Sequence, residues 1–106
     1  MSYRFMRVIV FFDLPTETSA QRHEYGVFRR FLLRSGFFMV QKSVYSKLAL
    51  NTTAAEAIMK NVREHSPPEG IVQMLTITEK QFSRIEYVVG EKSGDVLDTT
   101  DRLVIL

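Results

Sequence analysis

Five consecutive apolar residues, Val8–Phe12, run into a single acid, Asp13, and are closed by Leu14-Pro15. A short unbroken run of β-branched and aromatic residues predicts a strand buried on both faces. The period then lengthens. Tyr25, Phe28, Phe31 and Leu32 recur on one side at helical spacing, with Arg22, Arg29, Arg30 and Arg34 on the other. Thr18-Ser19-Ala20-Gln21 supplies a capping box, and Gly36 stands where a helix reaching about Ser35 would stop. Two strand-like runs follow, Phe37–Val40 and Ser43–Leu48, joined through Gln41-Lys42. A hairpin is favoured over one long strand, although neither Gly nor Asn marks the turn. Ala55, Ile58, Met59 and Val62 predict a second helix, opened at Asn51-Thr52-Thr53 with Thr53 and Glu56 as a capping box. Ser66-Pro67-Pro68-Glu69-Gly70 ends it. Ile71–Thr78 returns to a period of two, with Val72, Met74 and Thr76 on one face.

The order β-α-β-β-α-β predicts an α+β, ferredoxin-like fold, a four-stranded antiparallel sheet with both helices on one face. Residues 1–78 complete that core. Residues 79–106 are a surplus of the same domain, with a short fifth strand at Ile85–Val89 and an apolar end, Leu103, Val104, Ile105 and Leu106. Such an end would aggregate if it hung free, so it is expected to dock on a second chain.

Composition changes this picture little. The chain has 106 residues, 45% hydrophobic and 25% charged, as suits one globular domain. Absence of cysteine excludes disulfides and thiolate metal sites. The N-terminal apolar run is too short to span a membrane and lacks a cleavage site, which predicts a cytoplasmic protein with no membrane partner. Charge is informative. Residues 1–50 carry eight Lys/Arg against three Asp/Glu, a balance of +5, whereas residues 51–106 carry six against nine, a balance of −3. The basic half could meet phosphate or the acidic half of another copy.

Two features could carry chemistry. Asp13, at the end of a buried strand, stands on a rigid base where active groups often sit, yet Asp before a turn is also an ordinary capping residue. Mg²⁺ takes one or two carboxylates and keeps several waters, so one Asp13 per chain is insufficient alone, while two in a symmetric dimer could share an ion and activate a water toward phosphorus. The arginine face, Arg22, Arg29, Arg30 and Arg34, suits bidentate phosphate contacts or is a solvated helix face; Arg4, Arg7, Lys42 and Lys47 extend the basic set. His23 and His65 have no partner motif, and no Walker loop, zinc spacing, serine triad or dinucleotide fingerprint occurs. Phe28, Phe31 and Phe38 read as core rather than as base-stacking platforms.

The strand ending in Asp13, the basic helix, Gly36-Phe37, Gln41-Lys42-Ser43-Val44-Tyr45, and Gly70 through Thr78, in that order, resemble the second CRISPR-associated protein family (Cas-two), the small partner of the spacer integrase. The resemblance covers essentially the whole chain. Phe11 to Thr16, Gln41 to Lys47 and the ending Arg102 to Leu106 are similar to the branch accompanying Cas-nine (type II) systems. The resemblance implies a homodimer in which two copies of Asp13 face each other and bind Mg²⁺ or another divalent cation. It implies an endonuclease acting on RNA or double-stranded DNA. It also implies a role in spacer acquisition, the dimer bridging two integrase dimers and holding duplex DNA through Arg22 and its neighbours. The C-terminal strand would dock on a neighbouring chain. One departure is Phe12, where many members carry tyrosine. Rival readings are a stand-alone toxin-type endoribonuclease of the same fold and a small-molecule regulatory module, the latter with no need of the arginine face.

Overall fold

A computed structural model describes residues 5–91. Strand β1 (Met6–Asp13) leads to helix α1 (Ser19–Arg34), the hairpin β2 (Phe38–Gln41) and β3 (Val44–Ala49), helix α2 (Thr52–Glu64), strand β4 (Ile71–Thr78) and a four-residue helix α3 (Glu79–Phe82). The sheet runs β2-β3-β1-β4 with every neighbouring pair antiparallel. This is the expected ferredoxin-like α+β arrangement, with β1 central. A central strand has neighbours on both edges, which is why it is the most apolar.

Local chemistry sets the ends of α1. Thr18 accepts a hydrogen bond from the Gln21 N–H while the Gln21 side chain accepts from Thr18, the anticipated capping box. At the other end the Phe37 N–H donates to Leu32 and the Gly36 N–H to Leu33, the two bonds of a Schellman motif, with Gly36 at φ 94°. Lys47 adds an ammonium donor to the Ser35 carbonyl. Helix α2 differs from expectation. Its N-cap is Asn51, which accepts from the Ala54 N–H, so Thr53 lies inside the first turn rather than capping it. Asn is at least as good a cap as Thr, and the earlier position wins.

Strand alternation divides the sheet into two faces. Val8, Val10 and Phe12 of β1 join Phe28 and Leu32 of α1, Phe37, Tyr45 and Ala49, and Ala55 and Val62 of α2 in one core, with Val72 and Met74 packed against it. Phe12 lies edge-to-face on Tyr25 and Phe28 and stacks on Tyr45. The opposite face carries Ile9 across from Leu75, and Asp13 across from Ile71. Leu75 is 50% exposed, Ile71 57% and Phe38, paired with Ser46 on the same face, 56%. Phe38 is therefore surface and not core. Its strand β2 is one of the two sheet edges, and the helices cover only the other side.

The hairpin is present. Its turn, Lys42-Ser43, lacks glycine because Ser43 itself takes the left-handed conformation, φ 67°, which costs a non-glycine residue about 1 kcal/mol or more. Beyond β4, Thr78 and Gln81 form a second capping box that starts α3, a helix the hydrophobic pattern did not reveal. Arg7 fixes α3 to the sheet. Its Nε and Nη2 donate to the two Glu79 carboxylate oxygens at 2.7 and 2.6 Å, and its guanidinium lies 4.4 Å from the Phe82 ring centre. Ile85–Val89 is not a strand. It leaves α3 without joining the sheet, and Val88 and Val89 are 82% and 89% exposed. The expected docking segment Leu103–Leu106 lies outside the described residues.

Candidate functional site

Asp13 is the last residue of β1, and its side chain is exposed. The backbone beneath it is held from two sides. The Phe12 N–H donates to the Ser43 carbonyl at 3.0 Å, which pins the β2–β3 turn beside the end of β1. On the other edge Asp13 pairs with Ile71, and Gly70 precedes it at φ 97°. A Cβ at Gly70 would stand 2.8 Å from the Asp13 carbonyl oxygen and 2.7 Å from Leu14 Cδ2. Glycine thus permits the close approach that sets where β1 stops.

Around Asp13 the chain forms an open hollow of about 510 Å³. It is lined by Leu14 and Thr16 of the β1–α1 loop, Arg22 and Tyr25 of α1, and Lys42 and Ser43 of the turn. Arg22 Nη1 donates to the Thr16 and Glu17 carbonyls at 3.1 and 3.0 Å, bracing the loop that follows the acid. Among the described residues the one ion pair is Arg7–Glu79, so neither Asp13 nor Lys42 has an opposite charge within 4 Å. An unpaired acid thus shares one concave surface with a lysine and an arginine.

The structure brings together only part of the expected basic set. Arg22 and Lys42 reach the hollow. Arg29, Arg30 and Arg34 lie exposed on α1 but do not line it, and Arg29 Nε donates to the Tyr45 hydroxyl at 2.9 Å. Arg7 and Lys47 do not extend a phosphate surface, being committed to Glu79 and to the Ser35 carbonyl. Arg4 is outside the described residues. Position 12 faces the helices and position 13 the end of the sheet, so a tyrosine hydroxyl in place of Phe12 would enter the aromatic cluster from the side away from the open face. Sequence pattern placed Tyr25 in the helix's apolar stripe and treated Lys42 as a general basic residue. Their meeting with Asp13 follows from the β1–β3 register, Phe11 opposite Val44, which no local pattern encodes.

As to a metal, no three His, Cys, Asp or Glu side chains gather among the described residues. One exposed carboxylate in an open hollow fits a hydrated divalent cation whose other positions are filled by water, phosphate oxygens or a second copy's carboxylate; it does not fit a closed all-protein cage.

The family model described as CRISPR associated protein Cas2 matches residues 6–85. A Treponema denticola protein named CRISPR-associated endoribonuclease Cas2 is 54% identical over 95% of this chain and 100% of its own length. One of the same name from Streptococcus mutans is 46% identical over 95% and 93%. A solved structure described as the crystal structure of cas2 superposes with a TM-score of 0.57 at 21% identity, covering 87% of this chain and 94% of that one, a likeness of fold.

Proposed function

This chain belongs to the CRISPR-associated Cas2 family, and from that premise we propose that it is a dimeric nucleic-acid-binding protein of CRISPR spacer acquisition. In this reading it bridges integrase dimers and carries a divalent-metal-dependent endonuclease site at Asp13. The observation that carries the nuclease reading is the placement of Asp13, exposed and unpaired at a braced strand end, in a hollow that also presents Arg22 and Lys42. Phosphodiester cleavage needs a negative ligand for a cation and positive groups for the phosphate, and the hollow offers both.

Asp13 would hold the ion, which when bound would acidify a water and offset charge at phosphorus. The protein's own part is positional. The Ser43 and Ile71 contacts fix the Asp13 backbone, Arg22 braces the Thr16–Glu17 loop, and cations beside the acid draw a phosphate to the same place. The exposed arginines of α1 supply a separate, broader basic surface for a duplex. A second copy would cover the open sheet face around Leu75, Ile71 and Phe38 and bring a second Asp13 to the same end. Leu75 and Ile71 on β4 and Phe38 on β2 are half or more exposed at the two edges of that face, on either side of the buried Ile9 and Ser46, and large exposed apolar side chains sharing one face suit an interaction site.

Asp13→Asn should lower Mg²⁺-dependent cleavage by about 10²-fold or more while leaving the melting temperature within a few degrees, because the side chain is exposed. Cleavage that persists in this variant removes Asp13 from the site. Spacer integration that survives the substitution separates catalysis from scaffolding; integration lost in a still-dimeric variant contradicts a purely scaffolding role. For the dimer, Leu75→Arg should convert the sedimenting species from two chains to one, and an unchanged sedimentation coefficient would place the interface elsewhere. The relatives' shared name says endoribonuclease, which favours RNA as the substrate; the second reading is an endoribonuclease that acts without the integrase. Failure to co-purify with the spacer integrase, together with RNA cleavage, would support it.

A further inference from the structure

The hollow contains more than the acid needs. Lys42 sits on a turn pinned by the Phe12–Ser43 hydrogen bond and held in a left-handed conformation at Ser43. A strained non-glycine residue kept in place by its surroundings is a common mark of a functional loop. Tyr25 borders the same hollow, its ring held edge-to-face against Phe12 at 5.9 Å. Its hydroxyl makes no hydrogen bond among the described residues, and Lys42 makes neither a hydrogen bond nor an ion pair there. Arg22, by contrast, already serves two carbonyls.

We propose that Lys42 and Tyr25 form a backbone subsite for single-stranded nucleic acid, holding the phosphate next to the one at Asp13. The proposal deepens the nuclease reading of Asp13 and rests on it. Charge supports the occupant. With one acid and two cations, Arg22 and Lys42, the lining is net positive without an ion, so it attracts a polyanion while the carboxylate remains available. Shape supports a single strand. At about 510 Å³ the hollow has the dimensions of a small-ligand site, and a concave site of that size takes an exposed nucleotide rather than the convex surface of a duplex. The side chains divide the work. Lys42 acts as a mobile point charge, whereas Tyr25 is fixed by its packing and offers one directed hydrogen bond.

The test uses the full-length protein and two labelled probes, a short single-stranded RNA and the duplex of the same sequence. Binding is followed by fluorescence anisotropy in excess chelator, where cleavage does not intervene. Lys42→Gln should raise Kd for the single strand about threefold to tenfold and reduce the slope of log K against log salt by about 0.7. Lys42→Arg should restore most of the affinity. Tyr25→Phe, which keeps the ring against Phe12, should raise Kd about twofold to fivefold without changing the salt slope. Duplex binding should change little in any of the three. Asp13→Asn should bind the single strand at least as tightly as the parent protein, since a repelling charge is removed. With Mg²⁺ present, Lys42→Gln should raise KM more than it lowers kcat.

The outcomes separate the subsite from the nuclease reading. If the parent protein cleaves but Lys42→Gln and Tyr25→Phe leave Kd, salt slope and KM unchanged, the subsite is wrong and the nuclease stands. If nothing is cleaved yet Lys42 governs single-strand binding, the subsite stands and the nuclease is wrong. Equal losses on duplex and single strand, or no binding by the parent protein, overturn the subsite.

Discussion

Gly70→Ala is expected to destabilise the protein by about 2–4 kcal/mol and to reduce cleavage out of proportion to the residual folded fraction. Two effects add. Gly70 has φ 97°, where an L side chain is strained by about 1–3 kcal/mol. Its Cβ would also meet Leu14 Cδ2 at 2.7 Å, the Asp13 carbonyl oxygen at 2.8 Å and Leu14 Cα at 3.1 Å. The leucine methyl can turn away, but the two backbone atoms cannot move without shifting the end of β1. Such overpacking costs about 1–3 kcal/mol. A misplacement near 1 Å at a reacting group can lower the rate about 10²-fold. Gly90→Ala is the control. Gly90 also has a positive φ, 88°, but nothing lies within 4 Å of its missing Cβ, so it reports strain alone. Urea unfolding and cleavage kinetics on both variants separate the terms. If Gly70→Ala unfolds like Gly90→Ala and cleaves like the parent protein, the close approach does not position Asp13.

The same glycine shows which parts of the molecule its sequence made legible. Gly70 reads as a breaker after Pro67-Pro68, and that role is correct. What it touches, Asp13 and Leu14, is more than fifty positions away in sequence and depends on β4 pairing with β1. Local patterns fared well where local bonds decide the outcome. The Thr18–Gln21 capping box and the Gly36 stop are satisfied within a few residues of themselves. They fared worse where two local solutions compete, as at Asn51 and Thr53. Thr78–Gln81 was as readable as Thr18–Gln21, but the four-residue helix it starts has no apolar period to draw attention to it. Apolarity alone also misplaced Phe38 and Ile85–Val89, because it records what would gain from burial and not what the fold has available to cover it. Asp13 stood out because strand ends are local. Its association with Lys42 and Tyr25 did not, because it exists only once β1 lies beside β3 and beneath α1.

Phe12→Ala is expected to have the largest effect on stability, about 3–5 kcal/mol, as for other buried phenylalanine truncations. Phe12 is on the central strand, and its ring touches three others, Tyr25 at 5.9 Å, Phe28 at 5.3 Å and Tyr45 at 5.6 Å between centroids. Removing it opens a cavity between α1 and the sheet, and the neighbours cannot collapse freely into it. Tyr45 is held by Arg29, and Phe28 stacks on Phe31, which in turn lies against His65. For a domain whose whole stability is about 5–15 kcal/mol, the loss should lower the melting temperature by roughly 15 °C or more and could leave the chain partly unfolded at 37 °C. Phe12→Leu refills most of the volume and should recover a large share of the loss, which calorimetry on the pair would show. Because Tyr25 rests on this ring and borders the hollow, Phe12→Leu should also weaken single-strand binding more than its stability loss explains, without altering the salt slope that Lys42 sets. If Phe12→Ala melts within a few degrees of the parent protein, the aromatic cluster does not hold α1 to the sheet. In that case Tyr25 loses its fixed base beside Asp13.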